Sequence, residues 1–304
     1  MPVRLPPVVE QRRIVAKIDG LSEKSRRARE HLGHIPRLVE KYKQAILAAA
    51  FRGDLTRDWQ AAHPNDGRSA WSKQLLVDAC EANRPITYGV IKLGSDTPNG
   101  VPCLRTSNVR WLKIDTKGMK RISSKLFSEY GRTVLKGGEV LVNVRGTLGG
   151  VAVATVDMKG WNVSREVAVV PLDMELIEPN YLAYWIGSSA SQRWLNRVEK
   201  GVAYTGINIE DLRKLPIEFP SKGQQFEICR RIKMAFAWID RLASETTSAR
   251  RLIDHLDQAI LAKAFRGELV PQDPNDEPAS VLLERMKAER EGQVSTKRSK
   301  RAGK

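Results

Sequence analysis

The chain has 304 residues, 41% of them hydrophobic, enough for a substantial core and about two domains. A formal net charge of +16 points to a polyanionic partner, nucleic acid before an acidic membrane, against the plainer reading of a merely basic protein. Three scattered cysteines, no apolar run of about 18 residues and no apolar stretch near the start argue against a disulfide framework, a membrane span and a signal peptide, and fit a cytoplasmic protein.

The first predicted element is a long helix that begins after Leu5-Pro6-Pro7, because proline is tolerated before or in a first helical turn but not further in. Apolar or small residues recur with alternating spacings of four and three at Ile14, Ile18, Leu21, Ser25, Ala28, Leu32, Ile35, Val39, Tyr42 and Ile46. That spacing is a coiled-coil seam. A helix of about 40 residues would be about 60 Å long. Gly33 and Pro36 predict a kink or break within it. Its end, Ala50-Phe51-Arg52-Gly53, places a glycine where a left-handed cap closes a helix. Residues 1–57 are therefore read as a helical spacer, and 58–70, with the turn residues Pro64-Asn65-Asp66, as a polar linker.

Residues 71–213 have a different pattern. A short helix is expected over 72–81. Strand-like runs then alternate with glycine turns: 87–91, 101–105, 112–114, 139–144, 151–155 and 166–170. Gly137-Gly138 and Gly149-Gly150 are predicted tight turns. One amphipathic helix follows Pro179, and Asn208 is placed as an N-cap ahead of Glu210 and Asp211. The expectation is a compact α+β domain built on a twisted, mostly antiparallel sheet.

From 214 the first helix returns. Gln44–Leu55 and Gln258–Leu269 are identical at ten of twelve positions, at an offset of 214 residues. The seam continues in phase through Ile228, Ile232, Ala235, Ile239, Leu242, Thr246, Ala249, Ile253, Leu256 and Ile260. Leu215-Pro216 and Pro220 precede this copy, Arg266-Gly267 ends it, and Pro274-Asn275-Asp276 repeats the turn that follows. The second helical region spans 214–271. The two copies are expected to pair with each other antiparallel, or else with another chain. Residues 272–304 are read as a short helix and a basic, disordered tail.

Catalytic patterns are missing. No GxxxxGK[ST] phosphate loop, no GxGxxG after a strand and no Asn-Pro-Pro-aromatic motif occurs. His31 and His34 lack further ligands, so no metal site is expected. Binding patterns are better developed. The central region carries 19 Lys and Arg against 14 Asp and Glu. Three of its loops suit phosphates and base edges. Arg105, Thr106, Asn108 and Arg110 lie in the first, Arg145 and Thr147 in the second, Tyr204 and Thr205 in the third. Arginine pairs with guanine O6 and N7, and asparagine with adenine N6 and N7. Each loop alone also reads as an ordinary surface turn.

The Leu5-Pro6-Pro7 lead-in with Glu10-Gln11, the two Ala-Ile-Leu-Ala-x-Ala-Phe-Arg-Gly segments and the order helix, α+β unit, helix resemble the specificity subunit of type I restriction–modification systems over nearly the whole chain. The resemblance implies that residues 71–213 are a target recognition domain reading one half of a bipartite double-stranded DNA site. It implies that the helices set the gap between half-sites and dock the modification subunit, which binds S-adenosylmethionine and methylates adenine at N6. The restriction subunit, a motor and nuclease, would join them. No cofactor is expected in this chain, and the chain itself would be non-catalytic. Family members hold two recognition domains, whereas this chain holds one, which leaves open a half-size subunit that pairs with a second copy, one piece of a split subunit completed by another chain, or an inactive fragment. The rival reading is a truncated scaffold that binds the modification subunit through its helices without reading DNA.

Overall fold

The computed structural model describes residues 5–64, 71–198 and 206–302, with 291–302 described by their backbone alone. It divides into two units, one of residues 1–39 and 240–304, the other of residues 40–239.

The prolines act as expected at the first helix. α1 (Val8–Gly33) starts directly after Pro7, and α2 (Ile35–Phe51) follows a single non-helical residue, His34. The break falls where Gly33 and Pro36 predict it, since Pro36 has no N–H to continue the ladder. After a 3-10 turn over Asp54–Thr56, the segment expected as a linker contains a short helix, α3 (Arg57–Ala62). The second copy is one uninterrupted helix, Lys222–Arg266. Pro216 does not lead into it; it opens a strand, and Pro220 precedes the helix.

The repeat persists in hydrogen bonding. Gln11 Nε2 donates to the Pro6 carbonyl and Gln225 Nε2 to the Pro220 carbonyl, both at 2.9 Å. At the far ends Gly53 and Gly267 have φ of +80° and +74°. Each donates its N–H to the carbonyl three residues back, Ala50 at 3.0 Å and Ala264 at 3.1 Å. In the second copy Glu268 N also reaches Lys263 O at 2.9 Å, which completes a Schellman cap.

In the first unit α1 runs antiparallel to the long helix. Arg13 pairs with Asp276 at 2.5 Å, and Arg29 with Asp254 at 2.9 Å and Asp257 at 2.5 Å, so partner numbers fall as those of α1 rise. Ile14, Ile18 and Leu21 are half-buried, Ser25 is buried, and Ile260 is buried opposite. Two seam assignments need correction: Leu242 is 39% and Leu256 53% exposed, while Ala243 and Asp257 beside them turn inward. A straight helix has 3.6 residues per turn and drifts about 20° per heptad against a 3.5-residue pattern, so a strict heptad loses the inner face. The chain continues to a last helix, Ala279–Ala302. Its backbone is helical where a disordered tail was expected, in keeping with the helix-forming Lys, Arg, Glu and Ala residues that dominate it.

In the second unit the same antiparallel relation holds between the end of α2 and the start of the long helix. Gln224 Nε2 donates to Thr56 Oγ1 at 3.1 Å, Arg231 donates to Leu55 O at 2.8 Å and to Asp58 at 2.5 Å, and Lys43 lies 5.3 Å from the Phe236 ring. Ile228, Ile232 and Ile239 are buried and Ile46 half-buried, but Tyr42 is 59% exposed. The break at His34 resets the phase, and Leu47 and Ala50 point inward instead.

The rest of this unit is the expected α+β domain, with altered edges. Residues 72–81 are not a helix. They form β1 (Ser72–Leu75) and a 3-10 turn (Leu76–Ala79). β1 pairs antiparallel with β11 (Pro216–Phe219), so a partner far along the chain overrides local propensity and the domain extends past 213 to Phe219. β2 (Thr87–Tyr88), β3 (Val101–Leu104), β4 (Val109–Arg110), β5 (Lys113–Ile114) and β6 (Lys120–Ile122) come next, and then α4 (Ser124–Glu129). β7 (Val140–Asn143), β8 (Val151–Val153), β9 (Asn162–Val163) and β10 (Val167–Val170) complete the sheets. The central sheet has the order β2-β10-β7-β8, all antiparallel, and a second has β6-β3-β9 with β3 and β9 parallel.

The central sheet is covered on both faces, so its strands read as continuous apolar runs rather than alternating ones. Val140, Val142, Val144, Ala168 and Val170 pack toward Tyr181, Leu182 and Ile186, and Leu141, Val167 and Val169 toward Leu104 and Val163. The helix after Pro179 is two: α5 (Pro179–Gly187) and α6 (Ser189–Val198), broken at Ser188. α7 (Ile209–Arg213) starts after Asn208, but the Asn208 side chain makes no capping bond. The long helix, α8, carries the domain on its first turns. Gln225 Oε1 accepts from Glu178 N at 2.8 Å, and on α2 Gln44 donates to Gly187 O at 3.0 Å and accepts from Ser189 N at 2.7 Å. The Phe51 ring packs edge-on against Tyr181 and Trp185. The last helix, Ala279–Ala302, is α9. Among the described residues no helix is long and apolar enough to cross a membrane, and no three His, Cys, Asp or Glu are grouped to hold a metal ion.

Candidate nucleic-acid interface

The segment 163–166, between β9 and β10, ties the candidate loops together by backbone hydrogen bonds. Val90 N donates to Val163 O, Ser164 N to Leu104 O and Arg165 N to Val90 O, each at 2.8 Å; Val144 N donates to Glu166 O at 2.9 Å. The loops that follow β2, β3 and β7 therefore meet at one end of the sheets. A fourth segment joins them, since Gly206 bridges Arg145 and Ile207 N donates to Val144 O at 2.8 Å.

A single side chain fastens two of these loops. Asn143, the last residue of β7, is 2% exposed, and its Nδ2 donates to the carbonyls of Thr106 (3.3 Å), Val109 (3.0 Å) and Thr147 (3.1 Å). The fit leaves no room at Gly150, where a Cβ would come within 2.2 Å of that Nδ2 and 2.4 Å of Val109 O. Asparagine suits this place because its amide offers two N–H donors, shared here among the three carbonyls, and a buried carbonyl without a donor is costly.

The predicted contact residues divide. Arg145 is exposed, with its guanidinium carbon 5.7 Å from the centre of the Tyr88 ring. Thr147 is exposed in the same loop, and Arg110 on the β4–β5 hairpin. Arg105 is half-buried, and its Nη2 donates to Gly118 O at 2.9 Å. Thr106 Oγ1 lies 3.4 Å from Glu166 Oε2. Asn108 is a correction. It is fully buried, its Oδ1 accepts from Arg105 N at 3.0 Å, and its Nδ2 donates to Asp115 O at 2.8 Å and to Lys117 O at 3.3 Å. Its amide is consumed in shaping its own loop and has nothing left for a base edge. Tyr204 and Thr205 lie outside the described residues.

Three residues of the site carry no sequence motif. Tyr88, 40% exposed, presents a ring under Arg145. Glu166 and Arg165 line an open pocket of about 450 Å³ together with Arg105, Thr106 and Lys120. Asn143 had one available signal, a polar residue inside the apolar run Val140-Leu141-Val142-Asn143-Val144. Arginine, hydroxyl and aromatic groups presented together by rigidly cross-linked loops can contact phosphates and base edges.

Residues 81–245 match the family described as type I restriction modification DNA specificity domain. The chain is 31% identical to the EcoBI specificity subunit of Escherichia coli, over 98% of this chain and 66% of that protein. It is 28% identical to the EcoKI specificity subunit of Escherichia coli strain K12, with the same two coverages, 98% and 66%. The chain thus spans slightly less than two thirds of these relatives. In fold it is similar to a chain from a structure of the type I R–M system (TM-score 0.66, 24% identity, 87% of this chain and 61% of that one). It is also similar to the HsdS subunit from Thermoanaerobacter tengcongensis (TM-score 0.52, 25% identity, 87% and 60%). With the family match covering more than half of its residues, the chain belongs to the type I restriction–modification DNA specificity family.

Proposed function

We propose that this chain is a non-catalytic DNA-recognition subunit of a type I restriction–modification complex, and that the loops gathered around residues 163–166 read one half of a bipartite duplex site. The observation that carries the reading is the convergence of Arg105, Thr106, Arg145 and Thr147, with Tyr88, on one end of a basic domain whose family is a DNA specificity domain. Phosphate contacts from the surrounding lysines and arginines fix register, and the loop side chains read base edges. The helices dock the modification subunit, which carries S-adenosylmethionine and methylates adenine, and the restriction subunit joins that complex.

The repeat supports a second recognition domain on the other unit. Gln44, Leu47 and Phe51 hold the domain in the second unit, and their identical counterparts Gln258, Leu261 and Phe265 are exposed, Phe265 by 87%. A domain of the same construction as residues 71–219 fits that face.

Adenine methylation mapped across the genome of a host carrying this chain and its modification subunit tests the reading. The expected result is methylation confined to a bipartite motif that disappears when the chain is deleted. A map without such a motif refutes DNA reading. If two copies assemble about a two-fold axis, the motif is palindromic, because protein symmetry is mirrored on the DNA; an asymmetric motif excludes that assembly.

A further inference from the structure

The pocket beside Arg145 is lined by three cations, Arg105, Lys120 and Arg165, and by one carboxylate, Glu166. Two of the cations are already engaged by the domain's own backbone: Arg105 Nη2 by Gly118 O at 2.9 Å, and Lys120 Nζ by Gly94 O. Among the described residues Glu166 forms no ion pair with any of them, and its carboxylate has a single side-chain hydrogen-bond partner, the Thr106 hydroxyl at 3.4 Å. Its backbone is held firmly, with the carbonyl accepting from Val144 N at 2.9 Å and Arg145 N at 3.3 Å. Glu166 is therefore half-buried, its backbone is held beside that of Arg145, and its carboxylate is left with unused acceptor capacity.

A carboxylate in this position repels phosphates, so it weakens non-specific binding. It is favourable only against a donor. The donors a duplex presents in its major groove are the amino groups of cytosine N4 and adenine N6. Adenine sets its N7 acceptor beside N6, facing the second carboxylate oxygen, whereas cytosine has no acceptor of its own at that edge. We propose that Glu166 is a specificity-determining residue that accepts a hydrogen bond from the N4 amino group of a cytosine in the target. This rests on the DNA-reading function above and assigns one base type within it.

The test is selection from a randomised duplex library by the purified complex of this chain with its modification subunit, using the wild type, Glu166→Gln and Glu166→Ala. The wild type is expected to enrich a motif containing a cytosine whose replacement lowers binding by about 5- to 150-fold, the range of one good base contact. Both variants should lose the preference for cytosine at that one position and keep discrimination elsewhere, with no base preferred there in Glu166→Ala. Glu166→Gln should shift the position toward adenine, which glutamine can contact at N6 and N7. Unchanged discrimination in both variants overturns the assignment. Uniform weakening at every position also overturns it, because it marks a structural role. A wild type that enriches no motif refutes DNA reading itself, a failure distinct from these.

Discussion

The internal repeat supplies a matched pair of substitutions in one molecule. Phe51 and Phe265 occupy the same place in the two copies. The Phe51 ring lies 5.6 Å from Tyr181 at 83° and 4.8 Å from Trp185 at 67°, whereas Phe265 is 87% exposed. Truncating a buried phenylalanine to alanine costs about 3–5 kcal/mol. Phe51 is half-buried, so roughly half to two thirds of that range, about 2–3 kcal/mol, is expected, including the edge-on contacts. Phe265→Ala should stay within about 0.5 kcal/mol, as exposed substitutions do. Hydrogen exchange over residues 179–198 reads the difference locally. A loss of 2–3 kcal/mol raises the opening constant about 30- to 150-fold in Phe51→Ala, and Phe265→Ala leaves exchange there unchanged. If the two variants are equally destabilised, or if Phe51→Ala leaves 179–198 as protected as in the wild type, the packing account of how α2 holds the domain is refuted. Should a second domain bind as proposed, Phe265→Ala would weaken assembly while leaving the stability of the isolated chain intact.

Asn143→Ala leaves the carbonyls of Thr106, Val109 and Thr147 without their shared donor, and should cost about 2–3 kcal/mol in urea unfolding with faster exchange across 105–109 and 147–150. A midpoint equal to the wild type would refute the role given to that amide. Arg145→Ala should weaken binding to the cognate duplex by about 1–3 kcal/mol and relax one base position if the guanidinium reads a base. If it contacts phosphate, binding falls uniformly and the salt slope drops by about 1; titrations at several salt concentrations separate the two. Asp58 is held down to about 2 by its hydrogen bonds from Arg231, and Glu227 to about 2 by those from Arg230 and then Arg231. Both carboxyls have folded pKa values below their ordinary 3.8 and 4.5, so the stability they contribute is present above pH 4.5 and is lost as pH falls toward 2. Urea midpoints measured across that window should flatten in Asp58→Asn relative to wild type, and parallel curves would count against the linkage.

Much of the fold was legible because its signals are local. Proline lead-ins, the Gly33–Pro36 interruption and the Arg-Gly ends mark the helices, and valine-rich runs near glycines mark β7, β8 and β10. What escaped depends on distant partners. Residues 72–75 carry helix-tolerant side chains and become a strand only because Pro216–Phe219 arrives beside them. A strict heptad places Leu242 and Leu256 inward where an undistorted helix turns them out, and Tyr42 inward where the break at His34 has reset the phase. At the candidate site, residue type indicated Arg105, Thr106, Arg145 and Thr147 but not use. Asn108 has the chemistry of a base reader and spends it on its own loop. Glu166 has no motif, and its interest arises from the three cations that share its pocket.

The pairing of β1 with β11 has a consequence for how such a chain can change. Ser72 and Phe219 face each other in register, so the chain enters and leaves the α+β domain at adjacent points. The intervening residues form one insert closed at its base by that pairing and seated on the helices through Gln44, Phe51 and Gln225. The loops themselves are less free. Asn143 holds the backbone of two of them, and the segment 163–166 holds more, so altering one loop in isolation disturbs its neighbours. If the loops read DNA as proposed, a change of target should therefore come more readily by exchange of the whole insert than by piecemeal change of one loop.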